Sequence, residues 1–323
     1  MNFEYGTVSI KGKSHIDSNL PNQDYVDAYH IEDTVVLIAA DGAGSSRLSA
    51  EGARRVVSKV LNNLKDIKDK KFIQDPHKYE VILKKIIIDS IDELRKNLTE
   101  GKKEEFDIIK KKEINLAELF TNPYTKIVNF FSKSKPSQKT IEVPIQTVEI
   151  VEEDQSIKEQ NENIDNSSDK IVETKLSDYA STFLLVINSP LSTFMAHIGD
   201  GYIVGYNRKS DNLDTKDQFI SLPRNGEYEN QTYFFTDDNW EKNIRIDSRK
   251  QFYNFCLVLT DGADGFWIGP NRKSLHEPLL DNFIKIRQKN KSENLSSILE
   301  KVFTYEKISS VSSDDATIGM ILR

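Results

Sequence analysis

The sequence predicts an α+β fold, antiparallel sheets with helices segregated onto their outer faces, on two observations. Apolar runs at 179–187, 194–198 and 201–206 follow one another through short turns, one of them Asn188-Ser189-Pro190. Strands joined so tightly pair antiparallel, because a parallel crossover needs a dozen or more residues. The helical patterns come in pairs, giving β-β-α-α-β-β-β-α-α-β instead of the strict alternation of a doubly wound sheet.

Each element has its own signal. Residues 5–12 alternate like a strand and lead into a polar loop, 14–24, after which 25–29 resume an extended pattern. Val35-Val36-Leu37-Ile38-Ala39-Ala40 reads as a buried strand, being continuous, short and β-branched at its start. Ser45, Ser46 and Ser49 are candidate N-caps for a helix with Ala53, Val56, Val57, Val60, Leu61 and Leu64 on one face. A second helix is expected over about 77–98, with Ile82, Ile86, Ile87, Ile91, Leu94 and Leu98 inward. Two more follow at 279–286 and 295–303, before a last strand at 318–322.

The chain between about 101 and 175 changes character. Lysine-rich segments give way to an acidic stretch at 141–170 that lacks aromatics. Such a composition buries too little apolar surface to offset its ordering entropy. We expect one domain over 1–323, interrupted there by a flexible insertion.

Composition narrows the function. With 323 residues, 37% hydrophobic and 29% charged, the chain has enough apolar residues for a core. A net charge of −7 excludes a broad nucleic-acid surface, which needs a basic face. No apolar run reaches the length of a membrane span, and Met1-Asn2-Phe3-Glu4 lacks a signal-peptide layout. A cytoplasmic monomer is the expectation. The one cysteine, Cys256, falls inside a predicted buried strand and reads as a small core hydrophobe.

Three apolar runs end in the same dipeptide. The 35–40 strand stops at Asp41-Gly42, Phe194-Met195-Ala196-His197-Ile198-Gly199 at Asp200-Gly201, and Phe255-Cys256-Leu257-Val258-Leu259-Thr260 at Asp261-Gly262. A fourth acidic point, Asp314-Asp315, precedes the last strand. One Asp-Gly is a common turn. Several strand-end carboxylates converging at one edge repel each other unless cations sit between them.

These blocks carry a resemblance. Asn22-Gln23-Asp24, Ala40-Asp41-Gly42-Ala43-Gly44, Ala180-Ser181-Thr182, Ile198-Gly199-Asp200-Gly201, and Thr260-Asp261-Gly262 with Asp314-Asp315-Ala316-Thr317 stand in the order seen in metal-dependent Ser/Thr protein phosphatases of type 2C. The chain resembles the bacterial branch over 5–98 and 179–322. The resemblance implies a four-layer α-β-β-α sandwich and a binuclear Mn²⁺ or Mg²⁺ centre. Asp41 would bridge the two ions, the Gly42 carbonyl would ligate one, and Asp261 and Asp314 would complete the other's shell. Asp24 would act through metal-held water, and Asp200 with Asp261 would hold a third, weaker ion. Hard cations prefer such oxygen donors. A metal-activated water would then hydrolyse phosphoserine or phosphothreonine with no nucleophilic side chain. Thr182 would support the strand beside the site. The implied partner is a phosphorylated protein, reversing the work of a cognate kinase.

Two departures stand out. Many relatives carry an Arg five residues before the Asp24 position, where this chain has Asn19; others carry His at the Ala43 position. His15 is the candidate to supply proton transfer or phosphate binding, with Arg47, Lys11 and Lys13 as further phosphate-binding candidates. Asp41-Gly42-Ala43 lacks the second Asp of a haloacid-type nucleophile motif, and there is no P-loop, Gly-x-Ser-x-Gly or His-Glu-x-x-His. The rival expectation is a catalytically weak phosphatase-fold module that binds phosphoprotein or partner through the acidic insertion.

Overall fold

The computed structural model describes residues 3–100, 174–207, 217–224 and 232–323. These belong to one compact unit, Met1–Lys110 with Thr174–Arg323. The second unit, Lys111–Glu173, lies outside the described residues, as does nearly all of the insertion expected at 101–175.

Ten strands form two five-stranded sheets. They are β1 (Glu4–Ile10), β2 (Tyr25–Ile31), β3 (Thr34–Ala40), β4 (Phe183–Asn188), β5 (Thr193–Ile198), β6 (Tyr202–Asn207), β7 (Asp217–Ser221), β8 (Arg245–Arg249), β9 (Phe255–Leu259) and β10 (Ala316–Leu322). One sheet runs β1-β10-β9-β6-β7, the other β2-β3-β4-β5-β8, and every pairing is antiparallel.

Period-2 alternation assigns the two faces of each central strand. Val35, Leu37 and Ala39 of β3 meet Leu184, Val186, Cys256, Val258 and Ile321 in the core between the sheets. Leu257 and Leu259 of β9 and Ile318 and Met320 of β10 face outward, onto Trp267, Phe283, Leu295 and Leu299 of the covering helices. The helix Ser49–Lys65 packs on β2, β3 and β4 of the other sheet, and Glu80–Thr99 packs beside it. Both faces of β3 are therefore buried, and all seven of its residues are inaccessible. Each fully buried aliphatic side chain contributes about 1.5–3 kcal/mol relative to exposure. This is the four-layer arrangement the sequence predicted.

Several local expectations need correction. The first long helix is capped by Leu48, with no side-chain cap, and Ser49 is its first residue, so none of the three serines serves as N-cap. Its docking face matches: Ala53, Val56, Val57, Val60, Leu61 and Leu64 are all buried. In the second helix Leu83, not Ile82, is the buried residue of the first turn. The expected loop after β1 contains a short helix, Lys13–Asp17, and residues 176–179 form a 3-10 turn, so β4 begins only at Phe183. The strands β7 and β8 have no counterpart in the sequence pattern. Both are sheet edges, half-buried and polar, and so lack the apolar run that announces a central strand.

Candidate metal centre

The Asp-Gly runs end where the argument from charge requires. Asp41 follows β3, Asp200 lies between β5 and β6, and Asp261 opens a helix, Asp261–Trp267, directly after β9. Their carboxylates converge: oxygens of Asp41, Asp200 and Asp261 all lie within 4.8 Å of one another. The backbone around them is tightly fixed. Thr182 Oγ1 accepts from Asp41 N at 2.9 Å, Thr182 N donates to Asp41 O at 2.8 Å, and Gly42 N donates to Gln23 O at 3.1 Å. A Cβ on Gly42 would lie 2.8 Å from Gln23 O and from Ser49 C, so this close approach needs glycine.

Asp24 enters from the start of β2. It is 6% exposed, and Thr260 Oγ1 donates to its Oδ2 at 2.7 Å. Thr260 is itself pinned, its Oγ1 accepting from Thr317 N at 2.9 Å. Thus the residue before Asp261 holds Asp24 and the start of β10 together.

The electrostatics are those of crowded anions. Burial, then the charges of Asp24, Asp261, Asp200 and Asp314, raise Asp41 well above the ordinary carboxylate range. Burial, with the charges of Asp200 and Asp314, pushes Asp261 up to about 6. Asp24 is pushed up to about 8, chiefly by burial and then by the charges of Asp315 and Asp261, against the opposing Thr260 and Thr317 hydroxyls. No Lys or Arg makes an ion pair with Asp24, Asp41, Asp200, Asp261 or Asp314 among the described residues. Asp264, one turn along the helix from Asp261, differs in pairing with Arg272. Asp24 Oδ1 and Asp261 Oδ1 are buried without a hydrogen-bond partner. Carboxylate oxygens of this kind, several together, fit a hard divalent cation.

The remaining candidates lie at the rim or beside it. His15 is buried on the short helix, its Nδ1 donating to Asp315 Oδ2 at 2.8 Å, and with Asp314 and Asp315 it forms a second group able to hold a metal. The Arg47 side chain is 49% exposed and pairs with Asp178 at 3.1 Å. Lys11 is half-buried and Lys13 exposed. Asn19, where relatives carry Arg, takes φ +53°, a left-handed turn that Asn tolerates better than most residues. Ala43 N donates to Ala180 O. Cys256 is free and buried, and burial raises its thiol pKa, as its place in the core demands. His197 is likewise interior: burial, then the Arg245 charge, hold its pKa well below the usual imidazole range, and Arg245 donates to its Nδ1 at 2.7 Å. Sequence reasoning gave no role to Asp315, whose carboxylate binds groups about 300 residues away.

Fold and acidic centre together define a two-sheet sandwich with carboxylates gathered at one edge. The family model for Protein phosphatase 2C matches residues 11–300, and the chain belongs to that family. It is similar to serine/threonine-protein phosphatase 3 of Escherichia coli (strain K12), 26% identical over 153 residues, which are 46% of this chain and 58% of that protein. The match thus spans little more than half of that relative's length. Among solved structures, an arginine-substituted bacterial serine phosphatase superposes with TM-score 0.52 at 12% identity, covering 99% of this chain and 97% of the other. The serine/threonine phosphatase of S. agalactiae gives TM-score 0.50 at 11% identity, covering 99% of each chain. At such identities the likeness establishes the fold. No described helix is long and apolar enough to cross a membrane.

Proposed function

We propose that the protein is a metal-dependent phosphatase acting on phosphoserine and phosphothreonine in proteins, reversing a cognate kinase. One observation carries the reading. Asp41 sits half-buried among the charges of four other aspartates, and among the described residues no Lys or Arg pairs with it, an arrangement that cations relieve.

In this reading Asp41, the Gly42 carbonyl, Asp261 and Asp314 would hold two Mn²⁺ or Mg²⁺ ions. Asp200, within 4.8 Å of Asp41 and Asp261, is placed to share a third. Bound ions of this kind activate water and neutralise phosphoryl oxygens during in-line displacement. Asp24, fixed by Thr260, would orient a water at that centre. His15, whose Nδ1–H donates to Asp315, presents Nε2 as a proton acceptor when neutral and would donate to the leaving serine or threonine oxygen as the imidazolium. Arg47 contacts the substrate from the rim. The protein acts as a cytoplasmic monomer with a single phosphatase domain, its sequence interrupted at about 101–175.

The test is phosphate release from phosphoserine and phosphothreonine peptides with Mn²⁺ and with a chelator. Release that requires the metal supports the reading; metal-independent release, or none, refutes it.

A further inference from the structure

Asp315 lies beside the acidic centre: its charge acts on Asp24, and its carboxylate groups with His15 and Asp314 and not with Asp41, Asp200 and Asp261. It is 2% exposed, and its two oxygens receive three donors: Gly12 N on Oδ1 at 2.6 Å, Gln23 N on Oδ2 at 2.6 Å, and His15 Nδ1 on Oδ2 at 2.8 Å. Hydrogen bonds to an ionised carboxylate are short and strong, and three fix its orientation. Three of its roughly four acceptor sites are thereby used, and within the group His15, Asp314 and Asp315 only Asp314 is exposed.

Each contact leads to a proposed ligand. Gln23 precedes Asp24, and its carbonyl accepts from Gly42 N. Asp314 adjoins Asp315 in the chain. On the third side, a Cβ on Gly262 would lie 2.0 Å from Asp315 O, so the peptide after Asp261 rests against Asp315. A Cβ on Gly12 would lie 2.2 Å from Asp314 C and 2.6 Å from Asp315 N. The end of β1 is pressed onto the start of β10, and only glycine permits it.

We propose that Asp315 is a positioning residue, indexing Asp24, Gly42 and Asp314 to one another through its carboxylate's contacts with Gly12, His15 and Gln23, and Asp261 through its main-chain carbonyl. This rests on the metal reading above. Residues that orient a metal's ligands typically change affinity by about 10–100-fold when altered. Asp315 does so for four ligands from four chain segments, while His15 holds it from the side.

Calorimetric titration of Mn²⁺ into the full chain tests it, with near-ultraviolet circular dichroism confirming that each variant is folded. Asp315→Asn keeps shape but supplies one acceptor oxygen in place of two, and we expect Mn²⁺ to bind about tenfold more weakly. His15→Ala leaves the Asp315 charge in place and removes a donor; positioning predicts weaker binding. An Asp315 that acts by charge alone predicts wild-type or tighter binding for His15→Ala, and that result overturns the proposal. So does Asp315→Asn affinity within about twofold of wild type, below the range expected of such residues. If Asp315→Asn does not fold, His15→Ala decides. Wild-type protein that binds no Mn²⁺ defeats the metal reading itself, a distinct outcome.

Discussion

Asp41 and Thr182 hold each other from both sides: Thr182 Oγ1 accepts from Asp41 N at 2.9 Å, and Asp41 O accepts from Thr182 N at 2.8 Å. The pair bridges the loops at the ends of β3 and β4, extending the β3–β4 ladder by one more link just where the chain reaches the acidic centre. Thr182→Val keeps the side-chain volume and strands the Asp41 N–H. The expected loss is about 1–3 kcal/mol of stability, read from the denaturant midpoint of metal-free protein. Thr182→Ser, which keeps the acceptor, should lose less.

The metal-free protein should weaken as pH rises. Asp24 and Asp261 have folded pKa values of about 8 and about 6, and Asp41 is raised with them, all above the unfolded value of 3.8. The folded state therefore binds more protons than the unfolded one between pH 4 and 8, and stability falls across that window. Thermal melts in chelator should show Tm dropping from pH 5 to pH 8, and millimolar Mn²⁺ should flatten or reverse the slope. A Tm in chelator that rises over this range contradicts the burial of these carboxylates.

Asp261→Asn separates activity from stability. One buried charge disappears from beside Asp200 and Asp314. Hydrolysis of p-nitrophenyl phosphate with Mn²⁺ should be abolished while the metal-free Tm stays level or rises. Undiminished hydrolysis would remove Asp261 from the site.

Gly52→Ala sets two effects against each other. Alanine improves helix propensity by about 1 kcal/mol, but its Cβ would lie 2.0 Å from Tyr179 O, a backbone atom. The overlap wins because the 176–179 turn is tied to the start of the helix by Leu48 N donating to Asp178 O at 2.7 Å. The expected net loss is about 1–3 kcal/mol, measured by denaturant unfolding.

What the sequence made legible follows from where its signals lie. The strands β3, β5 and β9 are buried on both faces, so their apolar runs were unmistakable, and each ended on a carboxylate of the acidic centre. The edges β7 and β8 carry sequences such as Arg245-Ile246-Asp247-Ser248-Arg249, whose pairing is dictated by the neighbouring strand and not by their own pattern. Thr182 was expected to support the site, and its bonds to Asp41 are the physical form of that support. Asp315 stayed hidden for a different reason. Its partners Gly12, His15 and Gln23 stand 303, 300 and 292 positions away, and no local spacing relates them. The same distance hid the burial of His15, which local sequence presents as a loop residue.

The most direct test of the central claim is hydrolysis of p-nitrophenyl phosphate by the purified wild-type chain, with and without millimolar Mn²⁺. Activity should appear with the metal and disappear on chelation. Activity indifferent to chelation, or none at any Mn²⁺ concentration, would contradict it.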